Sequence, residues 1–369
     1  MTPHPGPPGH PGSSRVYICC GAGGVGKTTA SAALALALAQ GGARVVVLTI
    51  DPARRLADAL GVRVGNEPSE VVLPPELGAT GTLHALMLDP KETFDRIVGR
   101  FAPTPYARDR IYQNHIYQHV SANLAGVQEY MAMERLYELA SDGSWDCVVL
   151  DTPPTRHALD FLAAPDRMAN LMDEGVMRWL VLPASRGGWR MIERGSEVLA
   201  RVLERMVGHS TIADIAEFFT AFQALWEGFH ERSVEVRRLL SAPSTRFFLV
   251  TTPAPAARAE ARLFVEQLQQ HKQPLAGFLL NRCIVGPKEL ELPDFGADPD
   301  MPHWAETVAA LQVLPERQRA RVAVQEENIA DLAKGTQSPV WRIPDLGEGV
   351  HDLAGVARLA VYMRPAVAV

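Results

Sequence analysis

From residue 21 the sequence reads Gly21-Ala22-Gly23-Gly24-Val25-Gly26-Lys27-Thr28, followed by Thr29, which fits the pattern G-x-x-x-x-G-K-[ST]. An apolar, β-prone run (residues 16–20) precedes this stretch, and an Ala/Leu-rich helical run (residues 28–40) follows it. A strand, a glycine loop and a helix N-terminus together aim backbone N–H groups and the positive end of the helix dipole at an anion. The alternative is a tight glycine turn without a ligand. The complete pattern in this setting predicts that residues 21–29 bind a nucleoside triphosphate.

The chemistry expected at such a loop assigns roles to four side chains. Lys27 is expected to reach the β- and γ-phosphates, and the Thr28 hydroxyl is expected to bind Mg²⁺. Asp151 ends an apolar run, as the magnesium-side aspartate of phosphate-loop enzymes does, and would hold the metal directly or through water. Asp51 ends a neighbouring run and is predicted to orient the attacking water. Alternatively, Asp51 is a simple turn residue, since Asp-Pro starts turns.

Short apolar runs separated by helical segments predict an α/β fold with a mostly parallel sheet that is covered by helices on both faces. Ligands of such sheets sit outside the carboxyl ends of the strands, where Gly21, Asp51, Asp151 and Asn281 are expected. We predict one phosphate-loop ATPase domain over residues 15–362, with helical segments at about 90–140 and 300–335. The Pro/Gly/His/Ser-rich residues 1–14 have neither the basic nor the apolar segment of a secretory signal. They and residues 363–369 are predicted to be tails.

Charge, cysteine content and hydrophobicity limit the possible function and cellular location of the protein. The net charge of −6 over 369 residues argues against nucleic-acid binding. The four cysteines form no C-x-x-C pattern, and three of them lie in predicted core strands. They are therefore interpreted as buried thiols in a reducing compartment. The most apolar helical run is too short to cross a bilayer, so we expect a cytoplasmic protein.

A helical insert is predicted at about residues 166–242. From Ile212 its apolar positions recur at alternating steps of four and three, which predicts a long amphipathic helix with Ser233 as the one break in the stripe. Methionines are frequent upstream, and methionine suits surfaces that accept varied apolar partners. The alternative is that these side chains pack against each other and the sheet. The candidate groove residues are Met168, Met172, Met177, Met191, Met206, Phe219, Phe222 and Trp226.

Two longer strings resemble a known family. Asp51-Pro52-Ala53-Arg54-Arg55-Leu56-Ala57-Asp58-Ala59-Leu60 resembles the first switch of the arsenical-pump ATPase family. The string from Trp145 through Asp151-Thr152-Pro153-Pro154-Thr155-Arg156 to Leu159 resembles its second switch. The family includes soluble ATPases that target tail-anchored membrane proteins.

The resemblance implies an ATP-driven dimer with Mg²⁺ as cofactor. In it, Asp51 would position water, and the two switches would couple the γ-phosphate to the insert. Pro52 and Arg54 would belong to the first switch, and Asp151, Thr152, Pro153 and Thr155 to the second. The resemblance also implies that Asn281 contacts adenine and that Pro344 and Asp345 lie near the base. The insert occupies the place of the family's client-binding helices, so hydrophobic membrane-protein segments are the implied client.

The chain departs from the family pattern at several positions. Arg54 stands where the family usually has His, and Arg156 where it usually has Gly. The zinc-binding C-x-x-C of the eukaryotic targeting factors is missing, which argues against a zinc-clamped dimer. Ala22 replaces the lysine that reaches across the family's dimer into the other phosphate site. Either a lysine-bearing paralogue supplies that charge in a heterodimer, or Arg54, Arg55 or Arg156 replaces it in a homodimer.

Three functions are compatible with these residues. The leading interpretation is an ATP-hydrolysing switch that opens and closes on a hydrophobic protein segment. The second is the ATPase subunit of an arsenite or other oxyanion pump, which needs thiolates converging in the helical region. The third is a regulatory scaffold that binds ATP with little turnover.

Overall fold

The computed structural model describes residues 14–51, 55–115, 117–118, 121, 127–153, 225–284, 303–347 and 349–367. These residues form an eight-stranded sheet with apolar cores on both faces, which confirms the predicted α/β class. The strands are β1 (Arg15–Cys20), β2 (Arg44–Thr49), β3 (Ser69–Glu70), β4 (Thr82–Met87), β5 (Cys147–Asp151), β6 (Thr245–Thr251), β7 (Leu275–Cys283) and β8 (Val340–Pro344).

The strands lie in the order β3-β4-β2-β5-β1-β6-β7-β8. Only the short β3 is antiparallel to its neighbour among the described strands, and the sequence analysis did not predict it. Parallel strands place their carboxyl ends at one edge of the sheet. The loop after β1, the residues after β2 and the end of β5 therefore meet at the same edge.

Helices connect the strands and cover both faces. They are α1 (Lys27–Gln40), α2 (Arg55–Leu60), α3 (Pro90–Phe101), α4 (Pro105–Gln113), α5 (Val127–Ser141), α6 (Trp226–Ser241), α7 (Pro255–Gln270), α8 (Trp304–Gln312), α9 (Leu314–Thr336) and α10 (Leu353–Val367). A single 3₁₀ turn spans Pro75–Leu77.

The central strands are buried on both faces because their side chains alternate between two apolar cores. In β1, Tyr17 and Cys19 pack with α1 and α10, whereas Val16 and Ile18 pack with α3, α5 and α6. This double burial explains why the strands read as continuous apolar runs rather than as alternating ones.

The end of the chain differs from the prediction. Helix α10 continues to Val367, and Met363 and Ala366 are buried in the core that contains α1. Their burial stabilises the last turn, although Pro365 removes one backbone donor from it. The predicted tail is therefore wrong for residues 363–367.

The described end of the insert is helix α6. Its residues Phe229, Val236 and Leu240 are buried, which confirms the predicted phase of the apolar stripe in this part. Ser233, the break in the stripe, is buried as well, and its hydroxyl lies within hydrogen-bond distance of Phe229 O and the Tyr130 hydroxyl. The polar break is thus satisfied by a carbonyl of its own helix and by Tyr130 on α5 rather than exposed to solvent.

The cysteines and the helix lengths bear on two further expectations. Cys19, Cys20, Cys147 and Cys283 are all buried and free, which confirms their interpretation as buried thiols. No helix in the described part of the chain is long and apolar enough to span a membrane.

Candidate functional site

The glycine loop between β1 and α1 follows the phosphate-binding pattern in its backbone. Gly21 and Gly26 adopt positive φ angles of 149° and 89°. A Cβ atom on Gly21 would lie 2.1 Å from Val250 O, and one on Gly26 would lie 2.2 Å from Asn281 Nδ2. Both positions therefore require glycine for conformation and for space. Helix α1 begins at Lys27, so its free N–H groups face the loop.

Lys27 is nearly buried at the start of α1, with 6% of its surface exposed. Its ammonium donates a 2.8 Å hydrogen bond to Ala22 O across the loop. Burial lowers the pKa of Lys27, while the nearby Asp151 raises it. The side chain lies at the loop, and its role toward phosphates stays a prediction.

Asp151, at the end of β5, is fully buried and surrounded by hydroxyl groups. Its carboxylate accepts hydrogen bonds from Thr28 Oγ1 at 2.8 Å, Thr49 Oγ1 at 3.0 Å and Ser31 Oγ at 3.3 Å. Burial raises the pKa of Asp151 to about 6, although the bonds from Thr28 and Thr49 oppose this. The sequence analysis missed Ser31 and Thr49, which belong to no motif: Thr49 is brought to Asp151 by the pairing of β2 with β5, and Ser31 by its place one turn after Thr28 in α1.

The Thr28 hydroxyl and the Asp151 carboxylate fit the predicted magnesium site. Both are oxygen ligands, which Mg²⁺ prefers, and this ion usually keeps several waters beside one or two protein groups. Thr28 is therefore suited to direct coordination, and Asp151 to direct or water-mediated coordination. Three-residue clusters of His, Cys, Asp and Glu that would suit another metal do not occur in the described part of the chain.

Asp51 lies directly after β2 at the same edge of the sheet. Its backbone N–H donates to Thr49 Oγ1 at 3.2 Å, so the hydroxyl of Thr49 joins Asp51 to Asp151. Arg55 Nη1 lies 3.8 Å from Asp51 Oδ2. The other predicted residues of the first switch, Pro52 and Arg54, lie outside the described residues.

The second switch is described only as far as Pro153, and Thr155 and Arg156 lie outside the described residues. Thr152 is buried, and its hydroxyl donates a 2.9 Å hydrogen bond to Cys19 O at the end of β1. This bond fixes the start of the second switch against the strand that carries the phosphate loop.

A cavity of about 370 Å³ brings these elements together. Lys27, Thr28 and Thr29 line it beside Asp51, and Thr152 lies on its wall. Six lining residues were not among the predicted site residues: Arg55, Asp58, Ala59, Arg282, Val350 and His351. The last three reach the cavity from the ends of β7 and β8, which no local motif indicates.

The predicted adenine residues lie beside this cavity. Asn281 Nδ2 donates a 2.9 Å hydrogen bond to Val25 O, so the end of β7 is tied to the phosphate loop. A second cavity of about 530 Å³ has a mainly apolar surface and is lined by Asp345, by the segment after β6, and by α9, which contributes Arg321 and Gln325 beside apolar side chains. Pro344 ends β8 beside Cys283. Contact of Asn281, Pro344 and Asp345 with adenine stays a prediction.

Most candidate groove residues fall where the structure is not described. Met168, Met172, Met177, Met191, Met206, Phe219 and Phe222 lie outside the described residues, and Trp226 is described only as the first residue of α6. The choice between a groove and a closed core for these residues remains a prediction.

The sequence is similar to known ATPases that belong to one family. The anion-transporting ATPase family matches residues 14–291. A protein of Prosthecochloris vibrioformis, whose name assigns it provisionally to the arsenical pump-driving ATPases, is 31% identical over 182 residues. That alignment covers 47% of this chain and 41% of the relative, so the chain matches less than half of the relative's length.

Two eukaryotic relatives are also similar. The ATPase ASNA1 homolog of Trypanosoma cruzi is 26% identical over 290 residues, which cover 72% of this chain and 74% of the relative. The ATPase GET3 of Malassezia globosa is 32% identical over 158 residues, which cover 42% of this chain and 43% of the relative.

Proposed function

Because the chain belongs to the anion-transporting ATPase family, we propose that it is a dimeric, Mg²⁺-dependent ATPase whose nucleotide state controls binding of hydrophobic protein segments. The observation that carries the ATPase proposal is the shared edge of the sheet. There, residues of the phosphate loop, Thr28 and Asp51 line one cavity, and Thr28 bonds to the buried Asp151 behind it. Phosphoryl transfer needs these parts: a cation on the phosphates, oxygen ligands for the metal, and a group that orients water.

In this proposal, Lys27 binds the β- and γ-phosphates and the loop amides hold the remaining phosphate oxygens. Asp51 accepts a hydrogen bond from the attacking water and orients it. Thr28 and Asp151 hold Mg²⁺, which would neutralise the charge that develops on the phosphates. The Thr49 hydroxyl bonds to the Asp151 carboxylate and to the backbone N–H of Asp51, so a shift of one switch would disturb the other.

The hydrophobic client is proposed from the family resemblance and from the methionines and aromatic residues of the insert. Relatives with ASNA1 and GET3 names support the placement of the chain beside the targeting ATPases. Helix α6 connects the insert to the nucleotide domain, because it packs on α5 and leads directly into β6. A motion of the insert would therefore be transmitted to the strand next to β1.

Capture of a defined apolar helix tests this proposal. The probe is a synthetic transmembrane helix in detergent, added to the chain with Mg·ATP, and binding is measured by co-elution. Replacement of Met172, Met177 and Met206 by Gln is expected to weaken capture more than it lowers the melting temperature. Burial in a closed core would give the reverse, because each Gln would bury an unpaired amide at a cost of about 1–3 kcal/mol of stability. Loss of folding without loss of capture would reject the groove.

An oxyanion-pump subunit is the second candidate, and it depends on reactive thiols. Burial raises the pKa of Cys19 to about 12 and that of Cys283 to about 11, and it raises the pKa of Cys147 as well. Cys19 and Cys147 lie on strands of the nucleotide core, not in the insert. Protonated thiols at separate positions bind soft metalloids poorly, so this candidate is less favoured.

The dimer partner is proposed from Ala22. If the family's lysine crosses the dimer at this position, a homodimer of this chain would lack that cation in both sites. A heterodimer with a lysine-bearing paralogue would restore it to the site of this chain. We propose the heterodimer, with a homodimer completed by a nearby arginine as the alternative. Arg55 lines the cavity beside Asp51 and is the described candidate for that replacement.

A further inference from the structure

Arg282 has an unusual backbone conformation at the end of β7. Its φ angle is +57°, in the left-handed region that residues other than glycine seldom adopt. The pairing register between β7 and β8 shifts between Leu280 and Cys283, so the strand is irregular at this residue. Such strain persists where the surrounding structure fixes it, and it is frequent at ligand sites.

Two hydrogen bonds fix Arg282 relative to the phosphate loop. Its backbone N–H donates to Asn281 Oδ1 at 2.9 Å, and Asn281 Nδ2 donates to Val25 O at 2.9 Å. The loop and the backbone of Arg282 are therefore joined through one buried amide side chain.

The side chain of Arg282 stands between two cavities. It lines the cavity that contains Lys27 and Thr28, and it also lines the apolar cavity that contains Asp345. Among the described residues, no carboxylate is recorded within ion-pair distance of Arg282, whereas Arg55 is paired with Asp51. Arg282 is exposed, and its guanidinium is a positive charge at the boundary between a polar cavity and a mainly apolar one.

The strand order indicates which part of a bound nucleotide would lie at the boundary between the two cavities. Asp51 and Asp151 follow β2 and end β5 on one side of β1, and Arg282 lies in β7 on the other side. Asp51 would orient the water that attacks the γ-phosphate, so the terminal phosphate would lie toward β5 and β2. The nucleoside must then lie toward β7, next to the apolar cavity.

We propose that Arg282 is a nucleotide-binding residue that contacts the α-phosphate at the junction of the phosphate and nucleoside subsites. This inference rests on the proposed ATP binding. Arg282 would thus be a cation that acts on the nucleotide bound to its own subunit. It would contact the α-phosphate, whereas Asp51 acts at the γ-phosphate. Because ATP, ADP and AMP all carry an α-phosphate, Arg282 would serve binding of each of them and would leave the hydrolytic step untouched.

The test is equilibrium binding of ATP, ADP, AMP and adenosine to the full chain by calorimetry. Arg282→Gly removes the guanidinium and suits the left-handed backbone, so the variant should fold as well as the parent. It should weaken binding of the three phosphorylated ligands by a similar factor of about 10 or more, since a charge-assisted hydrogen bond is lost. Arg282→Lys should recover part of the loss, and adenosine binding should not change.

Arg238→Gln is the matched control, because Arg238 is an exposed arginine on α6 paired with Glu235. Unchanged ADP binding by Arg282→Gly would overturn the inference. Weaker ATP binding with normal ADP binding would also overturn it, because that pattern places the contact on the γ-phosphate. If the parent bound neither ATP nor ADP, the proposed function itself would fail, so the two failures are distinguishable.

Discussion

The Thr28 hydroxyl donates a 2.8 Å hydrogen bond to the Asp151 carboxylate, although 123 residues separate the two in sequence. The contact joins the first turn of α1 to the end of β5. It also brings together the two side chains to which the sequence analysis assigned Mg²⁺. The carboxylate shares its second oxygen with Ser31, so the first two turns of α1 are held on the strand that begins the second switch.

Lys27 and Asp51 should affect different stages of the ATPase cycle. Lys27→Ala should lower the affinity for Mg·ATP by about 100-fold or more, because a nearly buried cation on the phosphates is lost. Asp51→Asn should preserve ATP binding and remove hydrolysis, because Asp51 acts mainly on the attacking water. Binding is measured by calorimetry and hydrolysis by phosphate release. Hydrolysis by Asp51→Asn at the parent rate would contradict the assignment of Asp51.

Asp151 should make the stability of the metal-free chain depend on pH. Burial raises its folded-state pKa to about 6, above the value of about 3.9 in an unfolded chain. Its contribution to stability is therefore fully present below about pH 4 and is lost as the pH rises through about 6. Asp151→Asn should be more stable than the parent by about 1–3 kcal/mol at pH 7.5 in EDTA, and the difference should shrink toward pH 4.5.

Urea unfolding of both proteins at the two pH values measures this effect. Parent and Asp151→Asn should also respond differently to Mg·ATP, because only the parent keeps the carboxylate that would hold the metal. Equal stability of the two proteins at both pH values would show that Asp151 is not an uncompensated buried charge.

The Glu134–Arg232 pair should stabilise the packing of α6 on α5. Arg232 Nε lies 2.9 Å from Glu134 Oε1, outside hydrogen-bond geometry, and the guanidinium also stacks on Tyr137 at 4.4 Å from the ring centroid. Burial raises the pKa of Glu134 to about 7. Arg232→Ala should destabilise the chain by about 3–5 kcal/mol at pH 8, because a buried carboxylate loses its partner.

The cost of Arg232→Ala should be smaller at pH 6, where Glu134 without its partner is protonated and neutral. Urea unfolding at both pH values gives the comparison, and Arg238→Ala serves as the exposed control. A loss of stability that did not change with pH would mean that Arg232 acts through packing on Tyr137 rather than through its charge.

Activity of the purified chain should be limited by Ala22 if the proposed heterodimer is correct. Cross-subunit cations can contribute about 10³–10⁵ in rate, so the chain alone should be slow and a lysine-bearing paralogue should accelerate it. Ala22→Lys should also raise the rate of the chain alone, because each subunit of a homodimer would then supply the cation. Full activity alone, insensitive to Ala22→Lys, would favour completion of the site by Arg55.

Arsenite should neither bind tightly nor stimulate ATP hydrolysis. All four cysteines are buried, and burial raises the pKa of each thiol, so thiolates are scarce at neutral pH. The measurement is phosphate release with increasing arsenite, with Cys147→Ser as the variant. Stimulation that disappears in Cys147→Ser would support the pump subunit instead.

The sequence by itself determined the phosphate loop, the parallel sheet and the buried cysteines. The phosphate loop can be identified from sequence because all of its functional groups lie within eight residues. Gly21 to Thr28 include the glycines that permit the loop conformation, the Lys27 ammonium and the Thr28 hydroxyl. The strands were equally predictable, because double burial in a parallel sheet leaves continuous apolar runs. The exceptions were the two-residue β3, which is too short for a pattern, and the end of α10, where tertiary packing holds Pro365 in a helix.

Only the tertiary structure decided which other side chains reach the site. Ser31, Thr49 and Arg282 belong to no motif that identifies their role. The order of the strands places Thr49 beside Asp151 and brings Arg282 to the phosphate loop through Asn281. The physical reason is that a parallel sheet gathers the carboxyl ends of distant strands at one edge, and the contacts made there depend on strand order, which the local sequence does not encode.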